Sequence, residues 1–428
     1  YTQPSEEDIA KQRMQDSITA LAKKKAEESR NAEAQASNQN AQNNVNADTT
    51  AVFYKSLSGK AQNIILKNSK LELTLSTKGG TVEKAVIKDF KDNKGNKDLT
   101  LFDSKDQSLK FMLEGKETNI ITSDLYFTPS NITDSTVTMT AVGSNGRSLV
   151  MNYKLGKNYL LHFSLKANGM SGLFSPNYNK LDIEWTDHCR QQEKGFTFEN
   201  RYASLTYHFT DGGTDYISET SEKVDEKIED AIDWVAFKNQ FFSAVMIAKD
   251  DLGTNSLMTS IPQEKGSGYL KQYGAKVKTS FDPTGNNSTE LEFYYGPNDF
   301  RLLQKIEKES TFNKDLELHR LVYLGWPLFR IINRWFTLYV FDWLTGLNIN
   351  MGIVLILITL LLKVITYPLV KKSYMSSAKM RVLKPKLEEA TKQYNKPEDQ
   401  MQKQQAMMAL YAKYGVSPLS GCLPMLIQ

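Results

Sequence analysis

The residue that stands out chemically is Lys363, an ammonium group inside the apolar run Asn348 to Val370, with Thr359 one helical turn before it. An ionised side chain near the middle of a bilayer costs about 2.5–3.5 kcal/mol on insertion scales, so it usually has a task. A lysine stem reaching back to the headgroups is the mundane alternative. A charge kept in a water-accessible cavity, extended by the Thr359 hydroxyl on the same face, is the functional one. Elsewhere the usual chemistry is missing. His162 and His208 lie in strand-like runs, and no His-x-x-x-His, nucleophile elbow or phosphate loop accompanies them or His188. Asp182, Glu184 and Asp187 read as a solvated strand face, since spacing alone sets no second carboxylate opposite. Cys189 and Cys422 fall in regions of different character and lack zinc spacing, so neither a disulfide nor a metal site is expected.

The elements around Lys363 give it a setting. Asn348 to Val370 spans about 35 Å as a helix, enough for a hydrocarbon core of about 30 Å. Before it, residues 325–346 predict an amphipathic helix in the headgroup region. Trp326, Phe329, Ile332, Phe336, Tyr339 and Trp343 recur at three- and four-residue steps, with Trp335 among the interfacial aromatics and Arg330, Asn333, Arg334 and Thr337 opposite. After it come Lys371, Lys372, Lys379, Arg381, Lys384 and Lys386, while Asp342 is the only charge from Trp335 to Leu347. The positive-inside rule therefore puts the C-terminal flank in the cytoplasm and the N-terminal part outside. Residues 371–415 predict a basic hairpin of two helices broken at Asn395-Lys396-Pro397-Glu398, with Met375, Val382 and Leu387 facing Met401, Met408 and Tyr411. Residues 418–428 start a further membrane segment.

The rest of the chain reads as water-soluble. Of 428 residues, 24% are charged, the net charge is only +4 and the mean hydropathy is −0.45, so no nucleic-acid site is indicated. Residues 1–52 are a polar tether, rich in Glu, Lys and Ala and then Asn, Gln and Ser, without apolar residues to offset the entropy of ordering. The chain begins at Tyr1 and stops at Gln428 inside an apolar run, which is the expectation for a piece of a longer protein. Residues 53–300 predict a large antiparallel β-sandwich. Leu71, Leu73 and Leu75 alternate with polar residues, as do Leu149, Met151, Tyr153 and Leu155. Asn145-Gly146 predicts a tight hairpin between Thr136–Val142 and Ser148–Leu155; Gly79-Gly80, Asp211-Gly212 and Gly296-Pro297 predict further turns. Residues 301–324, with the charged stretch from Ser310 to Tyr323, predict a helical connector.

Several runs together are specific in order and spacing: Trp326-Pro327-Leu328-Phe329, Thr359-Leu360-Leu361-Leu362-Lys363-Val364-Ile365-Thr366-Tyr367-Pro368-Leu369, Ser377-Ala378-Lys379-Met380-Arg381, and Pro418-Leu419-Ser420-Gly421-Cys422-Leu423-Pro424. From Gly325 to Gln428 the chain resembles the YidC family of bacterial membrane-protein insertases. Thr77-Lys78-Gly79-Gly80 and Trp234-Val235-Ala236-Phe237 resemble that family's periplasmic domain more weakly. The resemblance implies a supersandwich periplasmic domain, inner-membrane localisation, no enzymatic activity and no cofactor. It also implies a hydrophilic groove, open to cytoplasm and lipid, that receives polar segments of nascent membrane proteins, alone or with the Sec translocon. Lys363 matches the groove's positive position, where the family more often has arginine; lysine keeps the charge but lacks the planar multi-donor guanidinium. Thr359 and Gln428 match groove positions. Lys379, Arg381, Lys384 and Lys386 match the hairpin that meets the ribosome and targeting receptor. The runner-up is a membrane-anchored carbohydrate-binding or carbohydrate-processing protein, since that domain resembles a sugar-epimerase supersandwich. A scaffold between envelope and ribosome is a third reading, and it predicts no lipid-accessible polar groove.

Overall fold

The computed structural model describes residues 52–93, 95, 97–217, 223–325, 332–392 and 400–415. Trp326, Phe329, Gln428, Cys422, residues 1–51 of the tether, the break at Asn395–Glu398 and the segment 418–428 lie outside these residues. The chain divides into two units, Tyr1–Val322 and Tyr323–Gln428.

Alternation of apolar and polar residues builds the first unit as nineteen strands among the described residues. They are β1 (Asn63–Lys67), β2 (Leu71–Ser76), β3 (Val82–Lys91), β4 (Asp98–Phe102), β5 (Gln107–Leu113), β6 (Ile120–Ile121), β7 (Thr128–Ser130), β8 (Thr136–Val142), β9 (Ser148–Leu155), β10 (Leu160–Asn168), β11 (Lys180–Arg190), β12 (Ser204–Phe209), β13 (Thr214–Tyr216), β14 (Val224–Ile228), β15 (Ile232–Lys238), β16 (Phe242–Ala248), β17 (Ser256–Pro262), β18 (Tyr269–Ser280) and β19 (Thr289–Pro297). Strands β1 to β4 form one sheet; a nine-stranded sheet has the order β13-β12-β15-β16-β19-β10-β9-β8-β7, and a six-stranded sheet the order β14-β17-β18-β11-β5-β6. The strand pairs within these sheets are antiparallel. The six- and nine-stranded sheets face each other through aromatic rings. Trp185 stacks on Phe237 at 4.0 Å, and Phe111 on Phe163 at 5.2 Å. This is the large sandwich that the alternation predicts.

Local signals hold where local chemistry decides. Leu71, Leu73 and Leu75 are fully buried. Asn145 and Gly146 take φ of 57° and 72°, as a tight β8–β9 hairpin needs. Gly79 and Gly80 also turn with positive φ. Gly296-Pro297, in contrast, is no turn; it ends β19, paired with Ser243 and Phe242 of β16. A Cβ on Gly296 would lie 2.7 Å from the Tyr294 ring, so this glycine is there for packing. Proline is tolerated at the end of a strand, where its missing N–H matters least.

β15 and β16 are buried along their whole length. One face meets the other sheet. Residues 310–322, whose Leu316, Leu318 and Leu321 are at most 1% exposed, lie against β15 through Trp234, Asp233 and Lys238, and the preceding α2 (Phe300–Glu309) buries Leu303 and Ile306 in the same core. A short α1 (Phe196–Arg201) precedes β12. The expected helix across Ser310 to Tyr323 is absent. Helix α2 ends at Glu309, and beyond it only Leu318–Leu321 forms a 3₁₀ turn. Asn313 and Glu317 hold φ of 52° and 45°, which no α-helix accommodates.

In the second unit, a π-helical turn (Asn333–Thr337) leads into α3 (Leu338–Thr345), then α4 (Met351–Thr391) and α5 (Gln400–Lys413). Asn350 starts α4 by accepting the Gly352 N–H at 2.8 Å. The span and the first arm of the expected hairpin are thus one helix of 41 residues that runs through Pro368 and Pro385. Its 18-residue window Met351–Pro368 has a mean hydropathy of 2.2, and Lys363 is its only charge.

Candidate functional site

Helix spacing alone puts Thr359 and Lys363 one turn apart on one face. They line an open depression of about 300 Å³ with Leu355, Ile356 and Leu360. The Thr359 hydroxyl donates to the Leu355 carbonyl at 2.8 Å, which leaves its oxygen free to accept from an incoming group. Among the described residues Lys363 forms no ion pair, and it is exposed. An ammonium offers three donors and no acceptor, so the depression has an apolar floor, one hydroxyl and one positive charge. Such a wall attracts a carboxylate or carbonyl and rejects a cation.

The opposite side of α4 packs inside the unit. Leu344 meets Val354 and Ile358 in a small buried cluster, joined by Val340, Phe341 and Leu362. The helix preceding the span is therefore seated on it through Val340, Phe341 and Leu344, residues that the aromatic pattern did not single out. Trp335, Tyr339 and Trp343 point away, 66%, 52% and 67% exposed, and Trp335 stacks on Tyr339 at 6.5 Å. These rings sit at four-residue steps along the helix end that leads into the span, which suits an aromatic belt.

Lys379, Arg381, Lys384 and Lys386 are all exposed along α4 beyond the apolar window. Lys386 reaches the turn just after α5, with Nζ 3.3 Å from Tyr414 Oη and 5.2 Å from the ring centre. Of the expected seam, Met375, Val382, Met401 and Met408 are exposed, while Leu387 and Tyr411 are half-buried; Leu383 and Thr391 are buried. Both Val382 and Leu383 are apolar, so residue type did not decide the phase of the helix.

In the first unit, Asp182 and Glu184 do lie on a solvated face, where they pair with Lys278 at 3.0 Å and Lys276 at 3.6 Å. Asp187 does not join them. It has the opposite parity on β11 and is buried between the sheets, where burial and then the nearby Asp106 push its carboxyl well above the usual range. Arg190 instead pairs with Asp103 at 2.5 Å and Asp106 at 2.6 Å. Cys189 is buried, and burial pushes its thiol up, so it is an inert core group. His162 and His208 are in β10 and β12, each beside a carboxylate: Glu292 at 2.9 Å and Asp233 at 3.4 Å. Among the described residues no cluster of His, Cys, Asp and Glu is arranged to hold a metal ion.

Two family models match this chain. One, described as YidC periplasmic domain, matches residues 63–339; the other, described as 60Kd inner membrane protein, matches residues 343–428. Curated relatives called membrane protein insertase YidC include one from Phocaeicola vulgatus, 50% identical over the whole of this chain and 68% of its own length. One from Bacteroides fragilis is 44% identical over the same shares. One from Porphyromonas gingivalis is 33% identical over 86% of this chain and 59% of its own. Among solved structures, a galactose mutarotase-like protein from Lactobacillus casei aligns with 55% of this chain and all of its own at 11% identity and a TM-score of 0.36. By the two model matches and by full-chain identities of up to half, this chain belongs to the YidC family of membrane protein insertases.

Proposed function

We propose that this protein inserts membrane proteins into the bacterial inner membrane, and that the Thr359–Lys363 face of α4 is the polar wall that receives them. The observation that carries this reading is the lone charge of the apolar window sharing one depression with Thr359. A polar segment crossing a bilayer loses its hydration, at several kcal/mol for each unsatisfied group. A charge and a hydroxyl partway through the apolar layer offset part of that loss for an acidic or carbonyl-rich segment. The client's own apolar helix then partitions into lipid. No bond is made or broken, so the activity needs no catalytic residue and no cofactor.

The flanking charges favour a cytoplasmic C-terminal side and a periplasmic β-domain. The 41 residues of α4 extend roughly 60 Å, about twice the hydrocarbon thickness, so its basic half projects beyond the membrane. Lys379, Arg381, Lys384 and Lys386 on that projection suit contact with a ribosome or targeting receptor, and the Sec translocon is the natural co-worker for larger clients. Gln428 is assigned to the same groove on the strength of the family resemblance. The test is site-specific crosslinking from position 363 in the full-length protein to a stalled nascent membrane protein. Crosslinks to the client support the reading. A probe at 363 that reacts only with lipid, while one on the opposite side of α4 reaches the client, sinks it.

A further inference from the structure

Residues 310–322, the last stretch of the first unit, lie over the outer face of the nine-stranded sheet. Polar contacts hold them there as well as leucines. Trp234 Nε1 donates to the Leu316 carbonyl at 2.7 Å, and Lys238 Nζ to the Leu321 carbonyl at 3.2 Å. Lys314 Nζ donates to Asp233 Oδ1 at 2.5 Å and also to the Asp250 carbonyl. His208 lies in the middle of this set, 1% exposed, stacked on the Trp234 indole. Its Nδ1 is 3.4 Å from Asp233 Oδ2 on the sheet, and its Nε2 is 3.5 Å from Glu317 Oε2 on the strap. Neither ring nitrogen completes a hydrogen bond in this arrangement.

A neutral imidazole carries one N–H and one lone pair, while an imidazolium carries two N–H groups. With a carboxylate at each nitrogen, the neutral ring must turn its lone pair toward one of them, whichever tautomer it adopts. Only the protonated ring faces both with a donor. We propose that His208 is a proton-operated clasp for the 310–322 strap, tight when the ring is protonated and slack when the proton leaves.

The surrounding charges define how far the strap loosens. Lys314 keeps the other oxygen of Asp233, and Arg320 keeps Glu317 Oε1 at 2.6 Å, so each carboxylate retains one cation when His208 is neutral. Asp211 from the β12–β13 turn, Asp250 and Asp251 from the β16–β17 loop, and Asp315 line the same cavity of about 540 Å³, which gives the proton a route to solvent. The outcome of deprotonation is a strap that stays docked through its leucines and opens more often. The two other histidines near the strap differ in kind. His162 faces Glu292, which also accepts from Thr311, and His319 faces Glu307 at 3.8 Å. With one carboxylate apiece, a neutral ring can present its N–H to that carboxylate in one tautomer, although His319 Nδ1 completes no hydrogen bond at 3.8 Å.

The experiment is hydrogen–deuterium exchange on the full-length protein in lipid nanodiscs at pH 6 and pH 8, corrected for intrinsic exchange. Peptides covering 313–321 are expected to exchange roughly tenfold faster at pH 8, the scale of one charge-assisted contact. His208→Gln should abolish that difference. Glu317→Gln should abolish it too, which keeps the test valid if the first variant folds poorly. His162→Gln and His319→Gln should retain it. Absence of a pH difference in the wild type overturns the proposal. So does a difference that survives His208→Gln and Glu317→Gln, or one that vanishes only in the His162 or His319 variants.

Discussion

Replacing Lys363 by alanine removes the single charge of the apolar window, and the depression it lines sets the size of the effect. A client carboxylate entering that depression comes to about 4 Å from the ammonium. At that distance the attraction is about 1 kcal/mol in a water-like medium and about 4 kcal/mol at an effective dielectric constant of about 20. These limits correspond to roughly fivefold and several-hundredfold changes in the population of the encounter. Lys363 is exposed on the helix surface rather than enclosed, which favours the lower half of that range. The expectation is a loss of about tenfold in insertion of a client with an acidic external tail. A client whose tail is neutral should lose less than twofold. Lys363→Arg should insert both normally, since the charge is kept. The assay is protease protection of the client tail in proteoliposomes containing the full-length protein, with paired clients differing only in their tail carboxylates. An equal loss for both clients in Lys363→Ala would refute charge attraction and leave a packing role for the side chain.

Two further predictions concern the β-domain. Trp234→Phe keeps the buried ring but removes the donor to the Leu316 carbonyl, leaving a buried acceptor unpaired, and should cost about 1–3 kcal/mol; chemical unfolding followed by circular dichroism checks it, and an unchanged midpoint would show that water replaces the bond. Asp282 accepts from the Thr284 side chain and the Asn287 N–H, then from the Thr284 N–H and Asn287 amide, and these bonds pull its carboxyl down to about 2. Its folded value lies below the unfolded one of about 3.9, so its contribution is fully present above roughly pH 5 and is lost as pH falls through the folded value. The stability gap between wild type and Asp282→Ala should therefore be constant near neutrality and close on approach to pH 2; a gap that does not change with pH would assign the effect to loop packing.

What could be read from the residues depended on the range of the interaction. β8 and β9 begin and end where alternation and Asn145-Gly146 say they should, because both signals are local. Thr359 and Lys363 share a face because helical geometry alone decides it. Gly296-Pro297 has turn-forming residues but sits in a strand, since the close approach of Tyr294 outweighs local propensity. The strap departs from its local pattern for a related reason. Its charged residues look like a solvated helix, yet Lys314 and Glu317 are partnered by Asp233 and His208, residues over 80 positions away. Nothing in the strap itself announces those partners. Asp187 is different: grouping it with Asp182 and Glu184 on one solvated face overlooks its odd position on β11, which turns it to the opposite, buried face.

The continuity of α4 separates two properties that hydropathy merges. The apolar window ends at Pro368, and a proline with Lys371 and Lys372 three and four residues on invites the inference that the helix ends there too. The backbone carries on to Thr391. Hydropathy reports which residues are at ease in lipid, whereas helix continuation depends on backbone geometry and hydrogen bonds; a proline removes the bond its own nitrogen would have made and crowds the carbonyl four residues earlier, yet α4 runs on through it. Thr366, just before Pro368, donates its hydroxyl to the Leu362 carbonyl at 2.8 Å and so adds a bond in the same turn. The sequence thus marks where the bilayer gives way to water without marking any joint in the chain. Lys363 and the basic side chains from Lys379 to Lys386 consequently share one helix, and the distance from the charge of the apolar window to the start of that basic stretch, roughly 24 Å along the axis, is fixed by helical rise rather than by a hinge.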